Sequence, residues 1–222
     1  MLRRIVVPLD GSTLAESVLP HVTALARPYQ AQVLLLHVLE PQRQERSTST
    51  DLFDWQMRKA EAQEYLHGVA RRLEQNELTT QSVLLEGPPA QRIIDYAHSE
   101  DADLLVLSSH GRSGLGEWNI SGVVQKVIQE AKTSFLLVRA YEGIDRQFAG
   151  LQDGYRRILV PLDGSVRAEY ALPLTRAVAE YWNASVFLTH IVSPPVLFSR
   201  GPLAPDELKL IDNCVQLSLI HI

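Results

Sequence analysis

The run SSHGRSGLGEWNISG at residues 108–122 sets Gly111, Gly114 and Gly116 among Ser108, His110, Arg112, Ser121 and Gly122, and leads to Val123, where an apolar helical pattern begins. A glycine-rich loop entering a helix can aim several backbone N–H groups at one anion, and the helix terminus adds about half a unit of positive charge. Arg112 supplies a forked donor suited to phosphate. The same glycines also suit a tight connection that binds nothing. A second polar cluster, Asp10-Gly11-Ser12, follows Pro8 and Leu9 at the end of an apolar run. Asp10 is either a ligand contact at a strand end or a turn residue that caps the next helix, because Asp-Gly-Ser is ordinary turn chemistry.

Other chemistries fit less well. The sequence has no GxxxxGK[ST], GxxGxG reverses the dinucleotide fingerprint and follows the fourth strand, and HGRSG is not the HxGH of a nucleotidylyl transferase. Ser108, Ser109 and His110 are sequence neighbours along a strand end, which is not expected to form a hydrogen-bonded nucleophilic triad. His37 and His190 lack a Cys, Glu or second His at ligand spacing, so they read as packed or hydrogen-bonded side chains, and no metal site is expected. With no general base beside the glycine loop, the chain is not expected to be an enzyme, and any ATP hydrolysis would be slow.

These clusters need a frame. Apolar runs at 4–9, 32–38, 81–86, 103–108 and 134–139 have the length and Val/Leu/Ile content of strands buried on both faces. Helical patterns lie between them: Leu14, Val18, Val22 and Leu25; Leu66, Val69, Ala70 and Leu73; Ile93, Ile94 and Ala97; Val123, Val124, Val127, Ile128 and Ala131. The alternation predicts an α/β fold, an open doubly wound parallel five-stranded sheet of Rossmann-like type with order 3-2-1-4-5. In that order the chain after strand one and the chain after strand four meet at the crevice where strand order reverses. Pro20 falls inside the first helical pattern and predicts a bend there. Residues 41–51 read as a loop, and Trp55, Met57, Tyr65 and Leu66 as a helix face packed on the sheet or a neighbour. The last strand would be a sheet edge, which tends to be covered or paired.

Residues 3–41 recur without a gap at 156–194, with Pro8/Pro161, Asp10/Asp163, Gly11/Gly164, Ser12/Ser165, Pro20/Pro173 and His37/His190 in register. A repeat of this length is a domain beginning again. The expected division is a domain at 1–140, a linker at 141–154 and an incomplete second copy at 155–222, whose glycine loop and fourth and fifth strands would fall beyond residue 222. The closing LSLIHI at 217–222 can be encoded by a common sequencing adaptor, which predicts that a genomic read continues past Gln216.

The net charge of -5 argues against a general nucleic-acid or anionic-membrane binder, because those work through clustered Lys and Arg. A hydrophobic content of 45% supports a packed core. No run approaches the roughly 18 apolar residues of a membrane span. A single cysteine, Cys214, cannot form an internal disulfide, which points to the cytoplasm.

VPLDGS at 7–12, HV at 37–38 and SSHGRSGLGEWNISGVVQKV at 108–127, followed by a final apolar strand, together resemble the universal stress protein family. The resemblance covers the whole first copy and implies a stress-response regulator that binds ATP or a related adenine nucleotide, with any Mg²⁺ arriving on the phosphates. It implies pairing, as a homodimer or between domains, through the last strand of the first copy. Nucleotide-binding members carry G-x2-G-x9-G-[ST], in which backbone groups and the final hydroxyl hold phosphates. By resemblance Asp10 contacts the adenosine and Val38 lines the adenine pocket. This chain has Ser108, Gly111 and the inverted pair Ser121-Gly122 at the signature positions, and Ser108 would then bring a Cβ where the ligand approaches or where φ is positive. The alternative is a stress-associated dimerisation module that binds no nucleotide.

Overall fold

The computed structural model describes residues 2–41, 49–110, 121–139 and 154–190. They fall in two units, 1–154 and 155–222. The expected linker at 141–154 lies almost wholly outside the described residues, as do Gly111, Arg112, Gly114 and Gly116.

In the first unit the apolar runs form β1 (Arg4–Pro8), β2 (Gln32–Leu39), β3 (Thr80–Glu86), β4 (Leu104–Ser108) and β5 (Ser134–Val138). All pair in parallel, in the order β3-β2-β1-β4-β5. Strand side chains alternate between faces, so each strand feeds two cores. On one face Val6, Leu34, Leu36, Leu105 and Leu107 pack with Ile93 and Ala97 of α3 (Pro89–Ser99) and with Val124 and Val127 of α4 (Gly122–Glu130). On the other, Ile5, Val7, Val33 and Leu35 are fully buried, as are Val22 of α1 (Leu19–Ala26) and Leu66 and Val69 of α2 (Ser49–Glu74) to within 1%. Each such Val, Leu or Ile stabilises the fold by about 1.5–3 kcal/mol.

Two local expectations are corrected. Pro20 does not bend a helix from within. A 3-10 turn, Ala15–Val18, comes first, and Pro20 sits in the first turn of α1, where its missing N–H has no intrahelical acceptor to lose. Of the expected loop at 41–51, residues 49–51 belong instead to α2, which begins at Ser49, and residues 42–48 lie outside the described residues. This 26-residue helix is longer than the sheet is deep. Glu74 accepts from Thr80 Oγ1 at the start of β3, and Lys59 pairs with Glu86 at its end. The residues before Lys59 therefore run past the strand ends by about 15 Å at 1.5 Å per residue.

The second unit contains β6 (Arg157–Leu162), a short α5 (Val166–Glu169), α6 (Leu172–Trp182) and β7 (Ser185–His190), with β6 and β7 parallel. Pro173 again stands in a first helical turn, that of α6. Every β1–β2 register pair reappears in β6–β7 at the repeat offset: Arg4↔Gln32 becomes Arg157↔Ser185, and Val6↔Leu34 becomes Leu159↔Phe187.

Candidate functional site

The crevice expected between the ends of β1 and β4 holds a cavity of about 240 Å³. Pro8, Leu9 and Asp10 line it from β1, Val38 from β2, Ser108 and His110 from β4, and Ser121 and Val123 from the start of α4. Residues far apart in the chain thus share one wall because the strand order reverses there. Gly11, Ser12 and Gly122 stand beside the cavity in sequence but are not among its lining residues.

Their roles are local and clear. Gly11 has φ of 83°, a conformation that side chains resist, and this turns the chain so that Ser12 N–H and Ser12 Oγ both donate to Asp10 Oδ1, at 3.0 and 2.6 Å. Ser12 Oγ in turn accepts from Ala15 N–H at 3.1 Å and caps the 3-10 turn. Asp10 is therefore a turn residue through Oδ1 and a cavity-wall residue at once, and the two sequence readings are not exclusive. The duplicate turn in the second unit is built alike: Ser165 N–H donates to Asp163 Oδ1 at 2.9 Å, and Ser165 Oγ caps α5. The hydrogen bonds from Ser165 hold the Asp163 carboxyl below its ordinary value.

Sequence reasoning missed the apolar bulk of the wall: Ala15, Leu36, Pro89, Ile93, Leu107, Val124 and Val127. Their periodicity marked most of them as core, and nothing in an aliphatic side chain distinguishes a core face from a cavity face. The double proline at 88–89, which starts α3, was the one available signal.

The signature positions behave differently from expectation. Ser108 is not among the residues with positive φ, and it lines the cavity while its hydroxyl bonds to the 3-10 turn. Ser108 Oγ donates to the Leu14 carbonyl at 3.0 Å and lies 3.3 Å from Ser17 Oγ. The hydroxyl is thus taken up by the 3-10 turn, while Ser108 remains part of the cavity wall. Ser121 is the N-cap of α4, its Oγ accepting from Val124 N–H at 3.3 Å. Helix geometry leaves the N–H groups of Gly122 and Val123 without intrahelical acceptors. A Cβ added at Gly122 would meet nothing within 4 Å.

His110 completes the polar equipment. Its Nδ1 lies 2.9 Å from Ser109 Oγ, a hydrogen bond between sequence neighbours at this strand end. The contact makes no nucleophile for the cavity, because Ser109 is 5% exposed and is not part of the wall. His110 Nε2 is buried with no hydrogen-bond partner among the described residues. Ser121 N–H donates to the Ser109 carbonyl at 3.2 Å, which ties the start of α4 to the end of β4.

The arrangement suits a flat, mostly apolar group with a polar tail. Aliphatic walls can hold a heterocycle, Asp10 offers an acceptor at the rim, and His110 Nε2 and the first turn of α4 offer polar contacts on the opposite side. Among the described residues no cluster of three His, Cys, Asp or Glu could hold a metal, and no helix is long and apolar enough to cross a membrane.

Residues 1–139 match the model of the Universal stress protein family. Universal stress protein MJ0531 of Methanocaldococcus jannaschii is 28% identical over 142 residues, covering 63% of this chain and 83% of that protein. The solved structure of MJ0577 from the same organism superposes with a TM-score of 0.59 at 25% identity, over 64% of this chain and 99% of that one. A universal stress protein solved in complex with cAMP matches with a TM-score of 0.50 at 22% identity, over 63% of this chain and 98% of the other.

Proposed function

Because the chain belongs to the universal stress protein family, we propose that it is a cytoplasmic stress-response regulator whose first unit binds an adenine nucleotide in the crevice between β1 and β4. The carrying observation is the joining, in one cavity, of aliphatic walls, the Asp10 carboxylate and His110, whose Nε2 is buried without a hydrogen-bond partner among the described residues. Val38, Leu36 and Ile93 enclose the base, Asp10 accepts from the ribose, and the phosphates run toward the first turn of α4. At about 240 Å³ the cavity is below the roughly 300–1,000 Å³ of sites that engulf a whole drug-sized ligand, so the base is held inside and the phosphates outside. The protein acts by binding and not by turnover, and Mg²⁺ accompanies the phosphates when ATP is the ligand.

Calorimetric titration of AMP, ATP with Mg²⁺ and cAMP into the full chain tests this. Micromolar binding of at least one is expected, and Asp10→Ala should weaken it by about 1.5–3 kcal/mol, the worth of a hydrogen bond to a charged group. No binding of any of the three would remove the reading. The second reading, a dimerisation module without nucleotide, is favoured by one feature: β5 pairs only with β4 among the described residues and leaves Phe135 42% exposed. It predicts a dimer that nucleotide does not alter.

A further inference from the structure

Ser108 stands where the family's nucleotide signature has glycine, and the structure gives it a task. Ser108 Oγ donates its one proton to the Leu14 carbonyl, so in its contact with Ser17 Oγ it is the acceptor. Leu14 O also accepts from Ser17 N–H at 3.2 Å, which fills both lone pairs of that carbonyl. The result is a closed ring of two hydroxyls, one amide and one carbonyl, with Ser17 1% and Ser108 8% exposed. It fastens the end of β4 to the 3-10 turn. That turn begins with Ala15, whose N–H donates to Ser12 Oγ, which donates to Asp10 Oδ1. A continuous hydrogen-bonded path therefore leads from Ser108 to Asp10, and Asp10, Ala15 and Ser108 all line the same cavity.

We propose that Ser108 is a positioning residue for the nucleotide site, holding the Asp10–Ala15 wall at its distance from β4, so that replacing it with the signature glycine weakens binding. The inference rests on the adenine-nucleotide reading above and deepens it. Glycine would remove the acceptor of a buried Ser17 hydroxyl and cut the path to Asp10. A departure from the signature is in this chain part of how the site is built.

The test is AMP affinity of the full chain carrying Ser108→Gly or Ser108→Ala, measured well below each variant's melting temperature. Each should bind AMP about tenfold more weakly, the equilibrium equivalent of one lost buried hydrogen bond. In an Asp10→Ala background, adding Ser108→Ala should cost no further affinity, because Ser108 acts through Asp10, whereas a general structural lesion would add to the loss. Ser108→Gly binding as tightly as the natural chain, or more tightly, overturns the proposal. Should the glycine variant not fold, Ser108→Ala, which keeps the Cβ and removes the same bond to the Leu14 carbonyl, decides the matter alone. If the natural chain takes up no AMP, ATP or cAMP, the site reading is what fails, and hydrogen exchange decides the positioning role. Ser108→Ala should then speed exchange of the Ser12 and Ala15 amides several-fold relative to those of β3, and unchanged exchange there overturns it.

Discussion

Tyr65 of α2 stands edge-on to His37, with ring centroids 6.3 Å apart. Burial first, and then the nearby carboxylates of Glu16 and Asp10, push its phenol above the ordinary 10.0, with Arg72 opposing. A raised phenol means that the folded chain keeps a proton that the unfolded chain releases, so the contribution is intact below about pH 10 and is lost as pH rises. Urea unfolding between pH 8 and 11 should show stability falling above pH 10, and Tyr65→Phe should flatten part of that fall. Equal slopes for the two proteins would show that Tyr65 does not carry it. At this scale the sequence was legible where residue type restricts geometry, as with Gly11 and its positive φ. It was not legible at Ser108 and Ser121, because a hydroxyl has several possible partners and only the neighbouring elements decide among them. Nothing in the order SSH announces that Ser108 would turn toward Leu14.

The strands could be read from the sequence to within about one residue: the inner β1, β2 and β4 are buried on both faces and so are apolar almost throughout, and the edge strands β3 and β5 keep enough Val, Leu and Phe to show. Helix α2 was harder. Its C-terminal half carries the stripe Ala62, Leu66, Val69 and Leu73, all buried, while the part that runs past the strand ends shows no stripe at all. Phe53 and Met57 there are 67% and 47% exposed, and Trp55 is flanked by the Arg58 guanidinium and the Lys59 ammonium at 5.3 and 5.5 Å from its ring centre. Among the described residues, this part of the helix has no buried face for a sequence pattern to mark. The first helical pattern misled for the opposite reason, since Val18 and Val22 keep one apolar face across the junction of a 3-10 turn and α1. The overhang of α2 makes a length prediction. Deleting residues 51–54, about one turn, should leave denaturant stability within roughly 0.5 kcal/mol, as for changes away from packed surfaces. Deleting 63–66 should cost several times more, because it removes Leu66 and moves the remaining stripe by about 6 Å along the sheet. Equal losses from both deletions would mean that the overhang is packed after all.

On the scale of the whole molecule, the repeat predicted from residues 3–41 and 156–194 extends to backbone register and to the Asp-Gly-Ser turn, since Gly164 has φ of 79° where Gly11 has 83°. What differs is cover. Val6, Leu34 and Leu35 are fully buried, whereas their counterparts Leu159, Phe187 and Leu188 are 67%, 51% and 54% exposed. The chain therefore contains its own control experiment. Two ladders of related sequence and the same register sit in one molecule, one enclosed and one largely exposed among the described residues, under identical temperature, salt and pH. Native-state amide exchange at matched positions, Val6 against Leu159 and Leu34 against Phe187, subtracts local propensity and hydrogen-bond geometry, and leaves the share of strand stability that comes from being covered. Exchange many times faster in β6 and β7 would measure that share directly. Matched rates would show that a parallel pair and one helix suffice to protect a strand.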